Sequence, residues 1–599
     1  MDFVKHECGV AMVRLLKSKE HYEQRYGDLY YGLHLLENLM IRQYNRGQDG
    51  AGIGCVDMSG AAPVVYEVRK EGPDAVEKIS TVIDKDIAFE REWGSERHPY
   101  YGNLMLGHVR YSTTGRVGER YLHPFRHDHY GKEKETFLLC GNFHLINTQD
   151  ICDELTKKGV DVCAEIDTQV LLKDIASSHW KENGDRVTIE QTLEATSPTW
   201  DGGFVICGID TDGELWAVRD SHGIRPAFWY ADDEKVILAS ERSAIILAAG
   251  VDPVDIHRLH PGVMMKVDVN GKLVFKRVIE EKPVRECVFE RIYFSRADGD
   301  EITLERERLG YLLAEDLERE KSVDVEETYF SFVPASARSS FMGMVAYFAG
   351  KELPVSPQSL AGNSEDKYLP HTLISSTGRR VTFGRTIEKG KALRTFISKE
   401  TGREELVEKT YNKVLADMPA GMRRIVIVDD SIVRGTTLKS SVISLLDSYG
   451  VDEIVIVSCA PQVRYPDFYG IDMSRLGELV AFRAAVNIIK REGNERILEE
   501  VYALCKSALA GEQRTKNFVR MIYSLTNGRA ISEEVARMVT PDGCKAKVRV
   551  QYLSMENLRK AIPDHTGDWC FSGNYPTSGA YTKICQAYVN YYEGKTKER

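Results

Sequence analysis

VIVDDSIVRGTT, residues 426–437, runs from an apolar stretch into two adjacent carboxylates and then into a hydroxyl-rich loop with one glycine. After Arg424 the run to Val428 is almost unbroken β-branched sequence, as expected of a parallel strand covered on both faces. Asp429 and Asp430 follow at its carboxyl end, where open α/β sheets bind ligands. Ser431, Gly435, Thr436 and Thr437 then offer hydroxyls and open backbone N–H groups ahead of a helix predicted over residues 438–449 and closed by Gly450. A helix N-terminus with free N–H groups attracts phosphate. Paired carboxylates suit vicinal ribose hydroxyls and a Mg2+ ion. The order of these features predicts a sugar-phosphate site; an ordinary turn with acidic N-cap residues would account for Asp-Asp-Ser alone.

Around this stretch the chain reads as a large enzyme. Its 599 residues exceed one ordinary core and predict two or more domains. Lysine and arginine number 79 against 90 acids, a net charge of −11, which argues against a surface made for nucleic acid. No run of about 18 apolar residues suggests a membrane span. The start, MDFVKHE, lacks the apolar core of a secretory signal. Twelve cysteines without a C-x-x-C pair suggest neither a zinc site nor a disulfide framework, and so a reducing cytoplasm.

Up to about Arg285 the sequence is rich in short β-like runs, such as residues 202–209 and 215–219. Turn pairs at Asp212-Gly213 and Asn270-Gly271 support antiparallel sheet, covered by helices such as one over residues 29–42. Residues 280–286, with Pro283, form the expected linker. Beyond it, helical patterns alternate with strands at 328–333, 425–428 and 453–457, which favours a parallel sheet.

The acid-pair stretch resembles the 5-phosphoribosyl-1-pyrophosphate (PRPP) motif of type I phosphoribosyltransferases. The first half carries Cys8-Gly9-Val10, NRGQDGAGIG (45–54), GHVRYSTTG (107–115), CGN (140–142), IDTQVLL (166–172) and AVRDSHGIRP (217–226). In order and spacing these resemble the glutaminase domain of class II amidotransferases, with the N-terminal-nucleophile hydrolase (αββα) fold. Together the halves resemble the glutamine PRPP amidotransferase family. The resemblance implies a propeptide at 1–7, a glutaminase domain at 8–285 and a phosphoribosyltransferase domain with a parallel sheet at 286–599. It implies Cys8 as nucleophile, its α-amino group as base once residues 1–7 are removed, Arg110 on the glutamine carboxylate, Asp167 on its ammonium, and Arg46 supporting the site. Gly141 and Asn142 belong to the oxyanion region. PRPP binding falls to Ser336, Asp429, Asp430, Ser431, Arg434, Gly435, Thr436 and Thr437, with Mg2+ at Ser336, Asp429 and Asp430.

Several positions depart from the family pattern. Cys140 stands where an oxyanion-hole asparagine is usual, and a thiol is a weak donor. Gln169 replaces a glutamate, and Ala335 an acid of the pyrophosphate loop. Ahead of LRTFI (393–397), which resembles the end of the loop that closes over PRPP, Lys389 and Lys391 stand where a lysine and a tyrosine are usual, and residues 353–387 form a longer segment than usual. Some members bind a 4Fe-4S cluster; here Cys287 and Cys570 remain while Asp467, Asp564 and Gly567 occupy other ligand positions, so no cluster is expected. The expected reaction is glutamine-dependent conversion of PRPP to 5-phosphoribosylamine, the first step of purine synthesis. The alternative is a non-catalytic or ammonia-only PRPP-binding regulatory paralogue. A class II amidotransferase with a sugar-isomerase acceptor domain would not contain VIVDDSIVRGTT. Purine-nucleotide inhibitors and homo-oligomerisation are further family traits; no nucleic-acid or membrane partner is expected.

Overall fold

The computed structural model describes residues 8–60, 62–93, 98–111, 118–128, 136–162, 167–180, 186–297, 300–321, 323–334, 336–354, 372–375, 377–389, 411–413 and 418–595. The expectations for residues 1–7, Ala335, Lys391 and 393–397, and most of the 353–387 segment, lie outside the described residues, as do the side chain of Lys389 and positions 112–115 and 166 of the quoted motifs.

Two antiparallel sheets face one another in the first half. The seven-stranded sheet runs, from one edge to the other, through His257–Arg258, Phe228–Ala231, Lys235–Ala239, Gly9–Leu15, Leu104–Arg110, Gly50–Asp57 and Val64–Glu71. The six-stranded sheet runs through Leu273–Arg277, Val263–Val267, Leu215–Arg219, Gly202–Asp210, Thr136–Leu145 and Phe125–Asp128. Strand alternation explains how both are buried on two sides. Val10 and Met12 point between the sheets with Leu104, Leu106, Leu138, Cys140, Val205 and Cys207. Ala11, Val13 and Leu15 point the other way, under the helices Tyr31–Arg42, Ala75–Glu92 and Arg242–Ala249. On the far side, Phe137, Leu139 and Phe204 pack under Asp167–His179 and Ile189–Thr196. The result is the αββα layering anticipated from the sequence.

The second half is organised around a six-stranded sheet ordered Thr372–Ile374, Arg380–Phe383, Thr328–Phe332, Arg424–Asp429, Glu453–Ser458, Lys547–Tyr552. All its pairs are parallel except the first, so the expected parallel sheet carries one antiparallel edge strand. Its core strands are buried along their whole length, which is why they lack polar–apolar alternation. The helix expected over 438–449 is present with a different opening: a π-turn, Leu438–Val442, leads into the α-helix Ile443–Asp447. Gly450, at φ +74°, closes it. No described helix is long and apolar enough to cross a membrane.

Candidate active sites

The strand Gly9–Leu15 lies against Leu104–Arg110 in a register pairing Gly9 with Val109 and Val10 with His108. That places Cys8 level with Arg110 at the mouth of the inter-sheet layer. The Cys8 thiol donates to the Tyr111 carbonyl at 3.8 Å. Burial pushes this thiol up, a shift that Arg110 opposes and Asp49 reinforces. A neutral thiol needs a base to become a nucleophile. Asp49, within the NRGQDG turn, donates its backbone N–H to the Arg110 carbonyl at 3.0 Å and thereby joins that turn to the site.

The segment Cys140-Gly141-Asn142 shows an arrangement that the motif spacing did not contain. Cys140 and Asn142 alternate onto the inter-sheet face of the strand Thr136–Leu145, and Cys140 lies directly opposite Cys207. Between them, the Gly141 peptide is held at both ends. Its N–H donates to His123 Nδ1 at 3.2 Å, and its carbonyl accepts from His108 Nε2 at 3.2 Å. The two imidazoles stack at 4.1 Å. Since His123 Nδ1 accepts, its proton sits on Nε2, which donates to Thr168 Oγ1 at 2.9 Å. Burial holds both rings neutral, with His108 pushed down to about 3 and His123 well below the ordinary imidazole range. Thr168 immediately follows Asp167 in the first turn of the helix Asp167–His179. A continuous set of contacts therefore joins Asp167 to the strand that ends in Arg110.

Asn142 Nδ2 is 1% exposed at the residue level and has no hydrogen-bond partner. A buried unpaired amide is costly, and such groups mark functional positions. The Gly141 N–H is engaged by His123, so Asn142 supplies the open donor on this strand. Sequence reading named Asn142 but missed His108, His123 and Thr168. His108 was visible within GHVRYSTTG, whereas nothing local to His123 announces a partner 45 residues away.

Arg46 does not face an open site. Its guanidinium is buried against Glu241, at 2.7 Å, and against Glu290, at 3.1 and 2.9 Å. Burial alone would depress it, but the two carboxylates outweigh burial and raise it. Glu290 opens a π-turn, Glu290–Phe294, of the second half, and Asn45 Nδ2 donates to Phe294 O in the same turn at 3.0 Å. Arg46 therefore braces the turn beside Cys8 against the start of the other half.

In that second half, the buried acids Asp429 and Asp430 end the central strand. Asp430 N–H donates to Asp429 Oδ1 at 3.0 Å. Burial raises the Asp430 carboxyl, opposed by a hydrogen bond from Ser336 and by the Arg306 cation. Ser431 Oγ lies 3.3 Å from Asp430 Oδ1. The other oxygen, Asp430 Oδ2, is buried without a partner, an opening suited to a hydroxyl or a hard cation. Gly435 adopts φ +76°, and a Cβ there would lie 2.8 Å from Val539 Cγ1, so only glycine fits this turn. Thr436 and Thr437 follow at the entrance to the helix. Arg434 turns aside: its guanidinium bonds Glu478 and the Asp472 carbonyl, both at 2.8 Å. Arg306, unremarked in the sequence, is buried and donates to the Arg291 and Ser295 carbonyls at 2.9 and 2.8 Å. Burial lowers it to about 10 against the pull of Asp430.

The positions around Cys287 and Cys570 that the family resemblance associates with an iron–sulfur cluster are filled by a polar network. Asp467 is buried, accepting from Trp569 Nε1 at 2.8 Å and from the Tyr469 and Ile471 N–H groups at 2.9 and 2.8 Å. Gly567 bridges to Cys287, and a Cβ on it would lie 2.4 Å from the Glu286 carbonyl. Two thiols and a carboxylate already satisfied by three donors do not fit a four-thiolate cluster. A cavity of about 1240 Å3 borders Gly528, Arg529 and the strand Lys547–Tyr552, and none of residues 429–437 lines it.

Residues 127–247 match the family described as glutamine amidotransferase domain. Among curated proteins, the amidophosphoribosyltransferase of Pyrococcus horikoshii is 28% identical over 470 residues, 77% of this chain and 86% of the relative. That of Bacillus subtilis is 27% identical over 470 residues, 77% of this chain and 82% of its own length. Among solved structures, the glutamine PRPP amidotransferase from B. subtilis complexed with ADP and GMP aligns with a TM-score of 0.63 at 22% identity, covering 95% of this chain and 97% of its own. With sequence kinship over three quarters of its length and a shared fold over nearly all of it, the chain is a homologue of the amidophosphoribosyltransferases.

Proposed function

We propose that the protein is an amidophosphoribosyltransferase that makes 5-phosphoribosylamine from PRPP and glutamine, the first step of de novo purine synthesis. The observation that carries this reading is the presence, in one chain, of a cysteine beside an arginine at an inter-sheet mouth and an acid-pair loop at the carboxyl end of a central parallel strand, in two halves linked by a buried ionic brace. The domains divide at residues 8–285 and 286–599, after a propeptide at 1–7.

In the first site, Arg110 pairs with the glutamine carboxylate and Asp167 with its ammonium. Cys8 Sγ attacks the carboxamide carbon while its thiol proton passes to the freed α-amine. The oxyanion that forms receives the Asn142 amide. Collapse expels ammonia and leaves a thioester, which water hydrolyses to glutamate. Ammonia then crosses within the protein and attacks ribose C1 of PRPP, breaking the bond to pyrophosphate. Asp429 and Asp430 accept the ribose hydroxyls, and the Gly435–Thr437 turn with Ser431 holds the 5-phosphate. Arg434 joins the ligand only if it leaves Glu478. Asp429, Asp430 and Ser336 would hold Mg2+, which neutralises the pyrophosphate. Cytoplasmic location, homo-oligomerisation and purine-nucleotide inhibition complete the reading.

A second reading, transferase activity with free ammonia only, is favoured by one observation: Cys140 is a buried thiol and the neighbouring Gly141 N–H is already bonded. Release of pyrophosphate from Mg-PRPP, measured in parallel with glutamine and with ammonium, separates the two. Activity with both supports the full reaction, activity with ammonium alone supports the second reading, and silence with both from a folded, processed sample refutes both.

A further inference from the structure

Glutamine carries two charges on its α-carbon, and each residue proposed for one of them neighbours one arm of the clamp on Gly141. Arg110, on the carboxylate side, shares the strand Leu104–Arg110 with His108, two positions away and so on the same face. His108 Nε2 donates to the Gly141 carbonyl at 3.2 Å. Asp167, on the ammonium side, is followed by Thr168 in the first turn of the helix Asp167–His179. Thr168 Oγ1 accepts from His123 Nε2 at 2.9 Å, and His123 Nδ1 accepts from the Gly141 N–H at 3.2 Å.

The ammonium-side arm is closely confined. The His123 ring stacks on His108 at 4.1 Å and meets Phe125 in an edge contact at 5.3 Å. Thr168 is 4% exposed, and both imidazoles are buried. A Cβ on Gly141 would lie 2.7 Å from Phe143 Cδ1 and 3.0 Å from the Val205 carbonyl, so the backbone there is packed as tightly as the rings. In so dense a layer a shift of one hydrogen-bonded group is passed to the next rather than absorbed.

The N–H and carbonyl of Gly141 belong to the peptides on either side of its α-carbon. The two imidazoles therefore fix both peptides, and with them the direction in which Asn142 leaves the turn of the chain. Asn142 Nδ2 is the buried, open donor of this strand. Cys140, the other inter-sheet residue beside Gly141, offers only a thiol, so catalytic placement depends on Asn142.

We propose that Thr168 and His123 are positioning residues of the glutamine site, linking recognition of the α-ammonium at Asp167 to the orientation of the Asn142 donor. The inference rests on the glutaminase reading of Cys8 and specifies what that site selects, a primary amide that also bears an α-ammonium group. Such a link acts through turnover. A contact felt equally by substrate and transition state changes KM, whereas one that orients an oxyanion donor changes kcat.

The test measures ammonia release by the processed full chain, with Mg-PRPP present, from glutamine and from glutaramate, which is glutamine without its α-amino group. Wild type, T168V and T168S are compared, with ammonium-dependent PRPP turnover as the folding control. In wild type, kcat for glutaramate should lie about tenfold or more below that for glutamine, within the roughly hundredfold that a 1 Å misplacement of a catalytic group can cost. T168V keeps the side-chain volume without the hydroxyl. It should lower kcat for glutamine by about tenfold, within the same range, and leave kcat for glutaramate unchanged, while T168S restores the glutamine rate. Equal kcat for both substrates in wild type, equal losses for both in T168V, or no loss in T168V overturns the proposal and leaves the glutaminase reading standing. A wild type that uses ammonium but no glutamine removes both. The substrate comparison needs no variant, so it stands if T168V fails to fold. Amide exchange over residues 140–145 serves where glutaramate turnover is too slow to measure. Glutamate should slow that exchange in wild type, and glutarate, which lacks the ammonium, should not; equal slowing by the two ligands, or none by glutamate, refutes the link.

Discussion

Replacing Asn142 by alanine separates two accounts of the same buried amide. Nδ2 has no partner in a residue 1% exposed. If that amide were only a packed side chain, truncation would remove an unpaired donor whose burial costs about 1–3 kcal/mol, which offsets part or all of the lost packing. Stability and turnover would then change little. If it instead awaits the oxyanion, its loss should lower glutamine-dependent kcat by about a hundredfold to a thousandfold, or about 2.7–4 kcal/mol of barrier. The interaction forms only in the transition state, so KM for glutamine should hold steady. The assay is pyrophosphate release from Mg-PRPP by processed protein, with glutamine and then ammonium as donor. Ammonium-dependent turnover serves as the folding control and should equal that of wild type. Glutamine-dependent kcat within about threefold of wild type would refute the oxyanion role, as would a wild type that turns over no glutamine.

Asp430→Asn keeps the shape but removes the charge, and should abolish pyrophosphate release with either donor while leaving the fold's melting temperature within a few degrees; calorimetry and the same assay check both. Arg46→Met strands Glu241 and Glu290 in the interface and should cost about 3–5 kcal/mol in urea unfolding, whereas replacing all three residues by apolar ones of similar volume should recover most of that loss. Burial pushes Asp210 up to about 7. Its folded pKa lies above the unfolded value, so the fold binds the proton more tightly, and stability falls as pH rises from near 4 through 7. Asp210→Asn, which can still accept from the Asp212 and Glu214 N–H groups, should therefore melt higher than wild type at pH 8 and match it near pH 4. The buried His108 and His123 titrate in the opposite sense. Their folded values lie below the unfolded one, so stability should fall as pH drops below about 6.5, and a fold equally stable at pH 7 and 5 after correction for the carboxylates would contradict the neutral clamp around Gly141.

Sequence alone determined what depends on neighbours in the chain. The run 424–428 reads as a buried strand because β-branched residues fill both faces, and the acid pair, hydroxyls and Gly435 follow in the order a strand-to-helix turn requires. The αββα half was legible for the same reason: short strands, turn pairs and the motifs around Cys8 and Arg110 are local patterns. Tertiary structure decided what depends on residues far apart. Arg46 meets Glu290 across 244 positions, and that pairing makes it a brace between halves rather than a side chain facing the substrate. Arg434 belongs to the motif's PRPP-binding set, and its bond to Glu478, 44 residues on, is written nowhere in the motif. Whether Gly141 or Asn142 offers the free donor was undecidable from Cys140-Gly141-Asn142, since the answer lies in two histidines that reach Gly141 from 33 and 18 residues away. Backbone pattern is written in nearest neighbours, but the direction and partners of a buried polar group are fixed only when distant segments close around it and exclude water.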